Sequence, residues 1–180
     1  GSKVRSVAWS PDGSRIATAS GGGVWVWDAV TGEKLLSLEH GSKVRSVAWS
    51  PDGSRIATGS DGDGVRVLDA VTGKELLSLE HDHRVDSVVW SPDGSRIATG
   101  SDGDGVRVLD AVTGEELLSF ECGHWVNSVA WSPDGSRIAT SSTFGGVRVL
   151  DAVTGEELLS LERGRGFGSV VWSPDGSRIA

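Results

Sequence analysis

At 180 residues, 37% of them hydrophobic, the chain carries enough apolar material for a packed core and does not have a disordered composition. A formal net charge of −8 disfavours nucleic acid as a partner, because phosphate binding needs a concentrated basic surface. No apolar run nears the roughly 18 residues of a membrane span, and no charged-then-apolar signal peptide opens the chain. Cys122 is the single cysteine, which excludes an intrachain disulfide and fits a reducing, cytoplasmic setting. The 26 glycines and eight tryptophans, with no methionine and no tyrosine, are the usage that one short peptide copied several times produces. The missing initiator methionine indicates a chain that was processed, tagged or excised from something longer.

Laid against itself, the sequence falls into units 1–40, 41–81, 82–122 and 123–163 and a stub, 164–180. In the second unit, residues 44–50 alternate, with Val44, Ser46 and Ala48 on one face and Arg45, Val47 and Trp49 on the other, which predicts a first strand. Ser50-Pro51-Asp52-Gly53 suits a type I turn, with proline second and glycine fourth, and residues 54–58 follow as a second strand. The Asp/Gly loop 61–64 leads to a third strand over 65–68, and Val71-Thr72-Gly73 turns into a fourth over 75–80. Each unit thus reads as a four-stranded antiparallel meander, and no stretch has the length and period of a helix.

Four strands in each period of 41 residues point to an all-β propeller of four full blades, with the stub supplying the first two strands of another. The units resemble the WD-repeat family over the whole chain, through Val7-Ala8-Trp9-Ser10-Pro11-Asp12-Gly13, the strand Ile16-Ala17-Thr18 and Val24-Trp25-Val26-Trp27-Asp28. The resemblance implies a buried network of His, Asp, Ser/Thr and Trp in each repeat, and no repeat here has all four. His40 and His81 match the histidine, where the fourth unit has Cys122 and the stub Arg163; Thr18, Thr58, Thr99 and Thr140 match the hydroxyl. The tryptophan before aspartate is present only as Trp27, with Leu68, Leu109 and Leu150 elsewhere. The loop aspartate aligns onto Gly62 and Gly103, beside Asp61, Asp63, Asp102 and Asp104. Apolar packing is therefore expected to do more of the holding.

Trp9, Trp49, Trp90, Trp131 and Trp172 share one register of the first strand, and a bulky ring repeated there is what packing between blades requires, in preference to a ligand cage. No repeated His/Cys spacing of zinc type occurs, and the loops at 61–64 and 102–105 lack the further carboxylates that calcium needs; neither metal nor cofactor is expected. No G-x-S-x-G is present and the carboxylates recur in every unit, whereas a catalytic site is asymmetric; the chain reads as a non-enzyme.

The copies disagree in two places. Around the connection from fourth to first strand, Lys3, Arg5, Lys43 and Arg45 become His83, Arg84 and Asp86, then His124, Trp125 and Asn127, then Arg165, Phe167 and Gly168. The loop from second to third strand varies as 21–23, 61–64, 102–105 and Thr143-Phe144-Gly145. In a propeller both loops open on one face, and the resemblance implies that peptides and proteins bind there. Drift on exposed loops is the plain alternative, but Trp125, Phe144 and Phe167 beside arginine and histidine have the composition of interface hot spots. The candidate partner-binding residues are Arg5, Arg45, His83, Arg84, Asp86, His124, Trp125, Asn127, Phe144, Arg165 and Phe167.

Two functional classes stay open: a protein-interaction scaffold binding a peptide or protein, and a purely structural, duplicated or engineered repeat that self-assembles without a natural ligand. Four blades and two extra strands do not readily close the ring of seven or eight blades that the resemblance implies, and an open arc would expose the apolar faces of its end blades. The expected solution is a homodimer closing eight blades, or nine if the stub takes part.

Overall fold

The computed structural model describes residues 3–122, 125–161 and 168–180. Among these described residues sixteen strands form four separate antiparallel sheets, each a meander in chain order. The first holds β1 (Ser6–Trp9), β2 (Arg15–Ser20), β3 (Gly23–Asp28) and β4 (Lys34–Glu39); the second holds β5 (Val44–Trp49), β6 (Arg55–Ser60), β7 (Val65–Asp69) and β8 (Glu75–Leu79). The third holds β9 (Val85–Trp90), β10 (Arg96–Ser101), β11 (Val106–Asp110) and β12 (Glu116–Phe120); the fourth holds β13 (Val126–Trp131), β14 (Arg137–Ser142), β15 (Gly146–Asp151) and β16 (Glu157–Leu161). The first strands β1, β5, β9 and β13 stand side by side, so the sheets radiate outward from them as propeller blades do. No helix among the described residues is long and apolar enough to cross a membrane.

Two short turns set each meander. In the second sheet, Gly53 takes the left-handed conformation (φ 70°) and its N–H donates to Ser50 O at 2.9 Å. The Asp52 carboxylate accepts from Ser50 Oγ (2.6 Å) and from the Ser54 N–H (3.0 Å), while Ser50 Oγ accepts from the Arg55 N–H (2.9 Å). At the second turn Asp69 accepts from the N–H groups of Val71 (2.9 Å) and Thr72 (2.7 Å). Both turns therefore close through a carboxylate that stands in for a backbone acceptor.

Between sheets one module repeats. Trp49 donates its Nε1–H to Ala8 O (3.1 Å), Trp90 to Ala48 O (3.2 Å) and Trp172 to Ala130 O (3.0 Å). An arginine of the preceding sheet covers each ring: Arg15 on Trp49, Arg55 on Trp90, Arg96 on Trp131 and Arg137 on Trp172, all 4.6–4.8 Å from the ring centre. The same guanidinium reaches a turn carbonyl of the next sheet, as Arg15 does to Ala70 O (2.8 Å) and Arg55 to Ala111 O (2.9 Å). Serines complete the seam, with the Val88 N–H on Ser46 Oγ and the Val129 N–H on Ser87 Oγ, each at 3.1 Å. The third seam departs in one respect: Trp131 Nε1 is buried without a partner among the described residues, and the residue at the acceptor position is Val89 instead of alanine. Close approach also needs small residues, since a Cβ on Gly100 would lie 2.7–2.8 Å from the side chains of Val126 and Val129.

The tryptophan register is thus core at Trp49 and Trp90 (both 7% exposed) and at Trp131 (8%), but Trp9 is 60% exposed because no sheet covers β1. Two further expectations are corrected. Alternation along the first strand fails at its start: Val44 pairs with Ser60 and Ser46 with Gly59, so Arg45 is an extra, unpaired residue and Val44 joins Val47 and Trp49 on the buried side. The described part of the stub, residues 168–180, forms one antiparallel bridge, Trp172↔Ile179, beside the paired N–H groups of Val171 and Ala180, in place of two strands. The fourth sheet supports it through Val170, Trp172 and Ile179 packed on Ala139, Val147 and Val149.

Replacing Trp90 by alanine removes a buried ring, its cap and its hydrogen bond and is expected to cost about 3–5 kcal/mol, whereas Trp9→Ala should stay within about 0.5 kcal/mol; urea unfolding checks both. Asp12, Asp52, Asp93, Asp134 and Asp175 are all lowered from 3.8 to about 2, chiefly by the serine hydroxyl two residues before each. Their folded values lie below the unfolded one, so this stabilisation is complete above about pH 4 and is lost as pH falls toward 2. Thermal melts over that window should show a steep fall, and Asp52→Asn should flatten it.

Candidate functional site

The extra residue of the first strand is repeated. Asp86 is skipped between the pairs Val85↔Ser101 and Ser87↔Gly100, and Asn127 between Val126↔Ser142 and Ser128↔Ser141. A bulge leaves its residue out of the ladder and re-aims the side chain. Arg45, Asp86 and Asn127 are therefore one structural position occupied by three chemistries.

The two variable loops are tied to each other. The N–H of Asp61 donates to Lys43 O (2.9 Å), that of Asp102 to Arg84 O (3.0 Å) and that of Thr143 to Trp125 O (3.1 Å). Each bond joins the loop after a second strand to the segment entering the first strand of the same sheet, so both loops share one rim.

Along this rim the charges form a ladder across sheets. Arg45 Nε donates to Asp61 while its Nη1 lies 3.7 Å from Asp86; Arg84 Nε donates to Asp86 at 2.9 Å and its Nη2 lies 3.6 Å from Asp102. Arg84 Cζ also stands 5.8 Å from the centre of the Trp125 ring. The hydrogen bond to Asp61 raises the Arg45 pKa and holds the Asp61 carboxyl below its ordinary value. Beyond the ladder Asn127 Nδ2 donates to Thr143 Oγ1 at 3.0 Å. His83 Nε2 lies 3.9 Å from Asp104 Oδ1, its ring packed over Gly103. Trp125 and Phe144 stand 50% and 62% exposed beside the ladder's end.

Of the predicted residues, the structure joins Arg45, Arg84, Asp86 and Trp125 in one network, with Asn127 and Phe144 on the next sheet and His83 on the adjoining loop. Arg5 occupies the equivalent place before β1, exposed, its backbone N–H on Ala19 O (2.9 Å). His124, Arg165 and Phe167 lie outside the described residues. Asp61 and Asp102 belong to the ladder without being among the candidate residues, because they sit in identical Asp-Gly-Asp-Gly copies; the sequence signal for them is the variable arginine across the rim. Asp63 meanwhile accepts from the Ser42 N–H at 3.0 Å, and no group of three or more His, Cys, Asp and Glu able to hold a metal occurs among the described residues.

Beneath the rim the polar network is split between sheets. Trp27 Nε1 donates to Thr18 Oγ1 (3.0 Å) in the first, and His40 Nε2 meets Thr58 Oγ1 (3.0 Å) in the second. In the third, the buried His81 side chain has Nδ1 3.6 Å from Asp104 and 3.4 Å from Arg107 Nη1, so Asp104, one residue past the aligned glycine, reaches the histidine. Cys122 fills the place in the fourth, buried, with its thiol pKa pushed up by burial. Burial lowers the pKa of both His40 and His81, and Arg107 lowers His81 further. The unfolded chain then takes up these protons first, near 6.5, so stability should fall as pH drops from 7 to 5, above the window of the turn aspartates. Melts of the wild type and of His40→Gln with His81→Gln should diverge in that range; parallel curves would count against it.

A family model described as the IFT122 first β-propeller matches residues 3–180. No curated protein matches the chain. With four four-stranded antiparallel sheets packed in succession through one repeated seam, the chain belongs to the IFT122 first β-propeller family.

Proposed function

We propose that the chain is a non-catalytic scaffold that binds a peptide or protein partner on the rim bearing Arg45, His83, Arg84, Asp86, Trp125, Asn127 and Phe144. The observation that carries this reading is the gathering of the differing residues: bulges aim three of them at one rim, and two exposed aromatics stand at its end. A repeated framework presenting varied side chains is how a binding surface is built on a rigid support. The ladder joins two arginines to three carboxylates, so the rim offers no net positive charge beside its apolar anchors, suited to a protein in preference to a polyanion. Membership of the IFT122 propeller family is consistent with a scaffold, and the single thiol suits a reducing, cytoplasmic setting.

A second reading, self-association, rests on a different observation. The face of the first sheet leaves Val4, Val7 and Trp9 56%, 61% and 60% exposed, at positions that the other three sheets bury. In this reading two copies pack head to tail, closing a ring of eight blades.

The double variant Trp125→Ala, Phe144→Ala should weaken capture of a partner by about thirtyfold or more, the loss of at least one hot-spot residue of about 2 kcal/mol, while changing stability by under about 0.5 kcal/mol. Quantitative pull-down alongside thermal melts decides it, and an equal loss of stability would place the rings in the core.

A further inference from the structure

Residues 50–73 and 91–114 are identical in sequence, yet the fold gives their Asp-Gly-Asp-Gly loops different surroundings. An Asp-Gly pair can close a five-membered imide when the glycine nitrogen attacks the side-chain carboxyl before it, since glycine has no Cβ to obstruct the approach. That reaction needs an uncommitted N–H, a carboxyl able to turn toward it, and room and water for the ring. The Ser-Pro-Asp-Gly turns fail the first two requirements. Gly13, Gly53, Gly94, Gly135 and Gly176 each donate their N–H to a serine carbonyl at 2.9 Å. The carboxylates before them are held by serine hydroxyls with pKa lowered to about 2, which keeps them ionised and poor electrophiles. Gly64 and Gly105 fail the third: both are buried, and a Cβ on them would lie 2.1 Å from Leu79 O and 1.9 Å from Phe120 O.

Two exposed pairs are left, Asp61-Gly62 and Asp102-Gly103, and the fold separates them. In the second sheet both reacting groups are tied down: the Gly62 N–H donates to Ser42 Oγ at 3.2 Å, and the Asp61 carboxylate accepts from Arg45 Nε. In the third sheet His83 stands where Ser42 does, and the Gly103 N–H has no acceptor among the described residues. Asp102 is held only by Arg84 Nη2 at 3.6 Å, longer than a hydrogen bond. The replacing imidazole also lies against the reacting glycine, since a Cβ on Gly103 would be 2.8 Å from His83 Nε2. One exchange, serine for histidine, thus frees the nitrogen and sets a proton acceptor beside it.

We propose that Asp102 is a site of covalent self-modification, isomerising to isoaspartate through a cyclic imide with Gly103, with His83 taking the amide proton. Gly103 N bonds to Asp102 Cγ, its proton passes through His83 Nε2 to the departing carboxyl oxygen, and that oxygen leaves as water with a second proton from solvent. Water then adds to the main-chain carbonyl of the imide and breaks its bond to Gly103 N, which takes a proton back while the new carboxyl releases one. No oxidant or other reactant than water is consumed. The product runs the main chain through the former side chain, one carbon longer, and sets its carboxylate directly on Cα. That carboxylate no longer reaches Arg84, so the ladder loses the contact between Arg84 and Asp102 beside Trp125. Fresh and aged chains then present different rims on the same sheets.

The full chain carries its own control, because the two loops have the same sequence. Native and denatured samples are aged in neutral buffer, cleaved at glutamate, which yields distinct peptides for the two loops, and mapped for isoaspartate by mass spectrometry. In denaturant residues 61 and 102 should isomerise at one rate. In the native chain isoaspartate at 102 should form about tenfold or more faster than at 61, within what a positioned proton acceptor contributes, and the turn aspartates should stay unchanged. His83→Ser, which restores the serine of the second sheet, should bring 102 down to the rate of 61, and His83→Ala should slow it as well. Asp102→Glu, which cannot close the five-membered ring, should remove the signal. Native rates that are equal at 61 and 102, or faster at 61, would overturn the site. An undiminished rate in His83→Ala would overturn the part given to the imidazole.

Discussion

The interaction on which the rest of the structure depends is an indole held between consecutive sheets. Each sheet is a meander of four short strands, too small to be stable alone, and its outward faces need cover. Trp49, Trp90 and Trp131 provide the cover: a ring of this kind buries about 150–250 Å², worth roughly 4–6 kcal/mol before chain entropy is counted. Burial is non-directional, however, and would tolerate sliding. At Trp49 and Trp90 the Nε1–H bond to a backbone carbonyl, together with the arginine above the ring and, at Trp90, the serine-to-valine bond, fixes the sheet's height and angle, whereas Trp131 has the arginine and the serine-to-valine bond without the Nε1–H bond. Hydrophobic area thus supplies the magnitude and the polar contacts supply the register.

A fixed register lets the rim vary. Because the bulge residue is left out of the ladder, exchanging Arg45 for Asp86 or Asn127 breaks no backbone pairing and changes no core residue. The loop that each one faces is anchored separately, by a backbone bond to the segment beside it. Chemistry at the rim and packing at the seam are consequently set by different residues, a few ångströms apart along the same strand.

Much of this was legible in the sequence, for a physical reason in each case. The strands and turns follow from a period-2 pattern punctuated by Ser-Pro-Asp-Gly, and the core role of the tryptophans follows from a bulky ring recurring at one register. The bulge was not legible, because Val44-Arg45-Ser46 alternates correctly on its own and only the partner strand reveals that two residues face one. Nor was the contact between His81 and Asp104, since alignment placed glycine at the aspartate's position while the loop's backbone carried the next side chain to the histidine. The exposure of Trp9 shows the limit of reading a repeat by its copies: identical residues have different fates when their neighbours differ.

The same dependence on neighbours constrains the rim. Asp86 stands between Arg45 of the preceding sheet and Arg84 of its own, and its side chain is only 14% exposed, so it links two guanidiniums that would otherwise face each other with little solvent between them. An arginine at that position, which the equivalent place in the second sheet tolerates, would set three cations together and strand Asp61 and Asp102 as the only counter-charges. Rim residues are thus independent of the core but coupled to one another through charge, at separations of 3–4 Å where such coupling is strong even near a surface. The rim therefore carries a preset charge pattern in which each arginine is committed to a carboxylate. Trp125 and Phe144, half or more exposed on the same rim, add apolar surface to this fixed pattern.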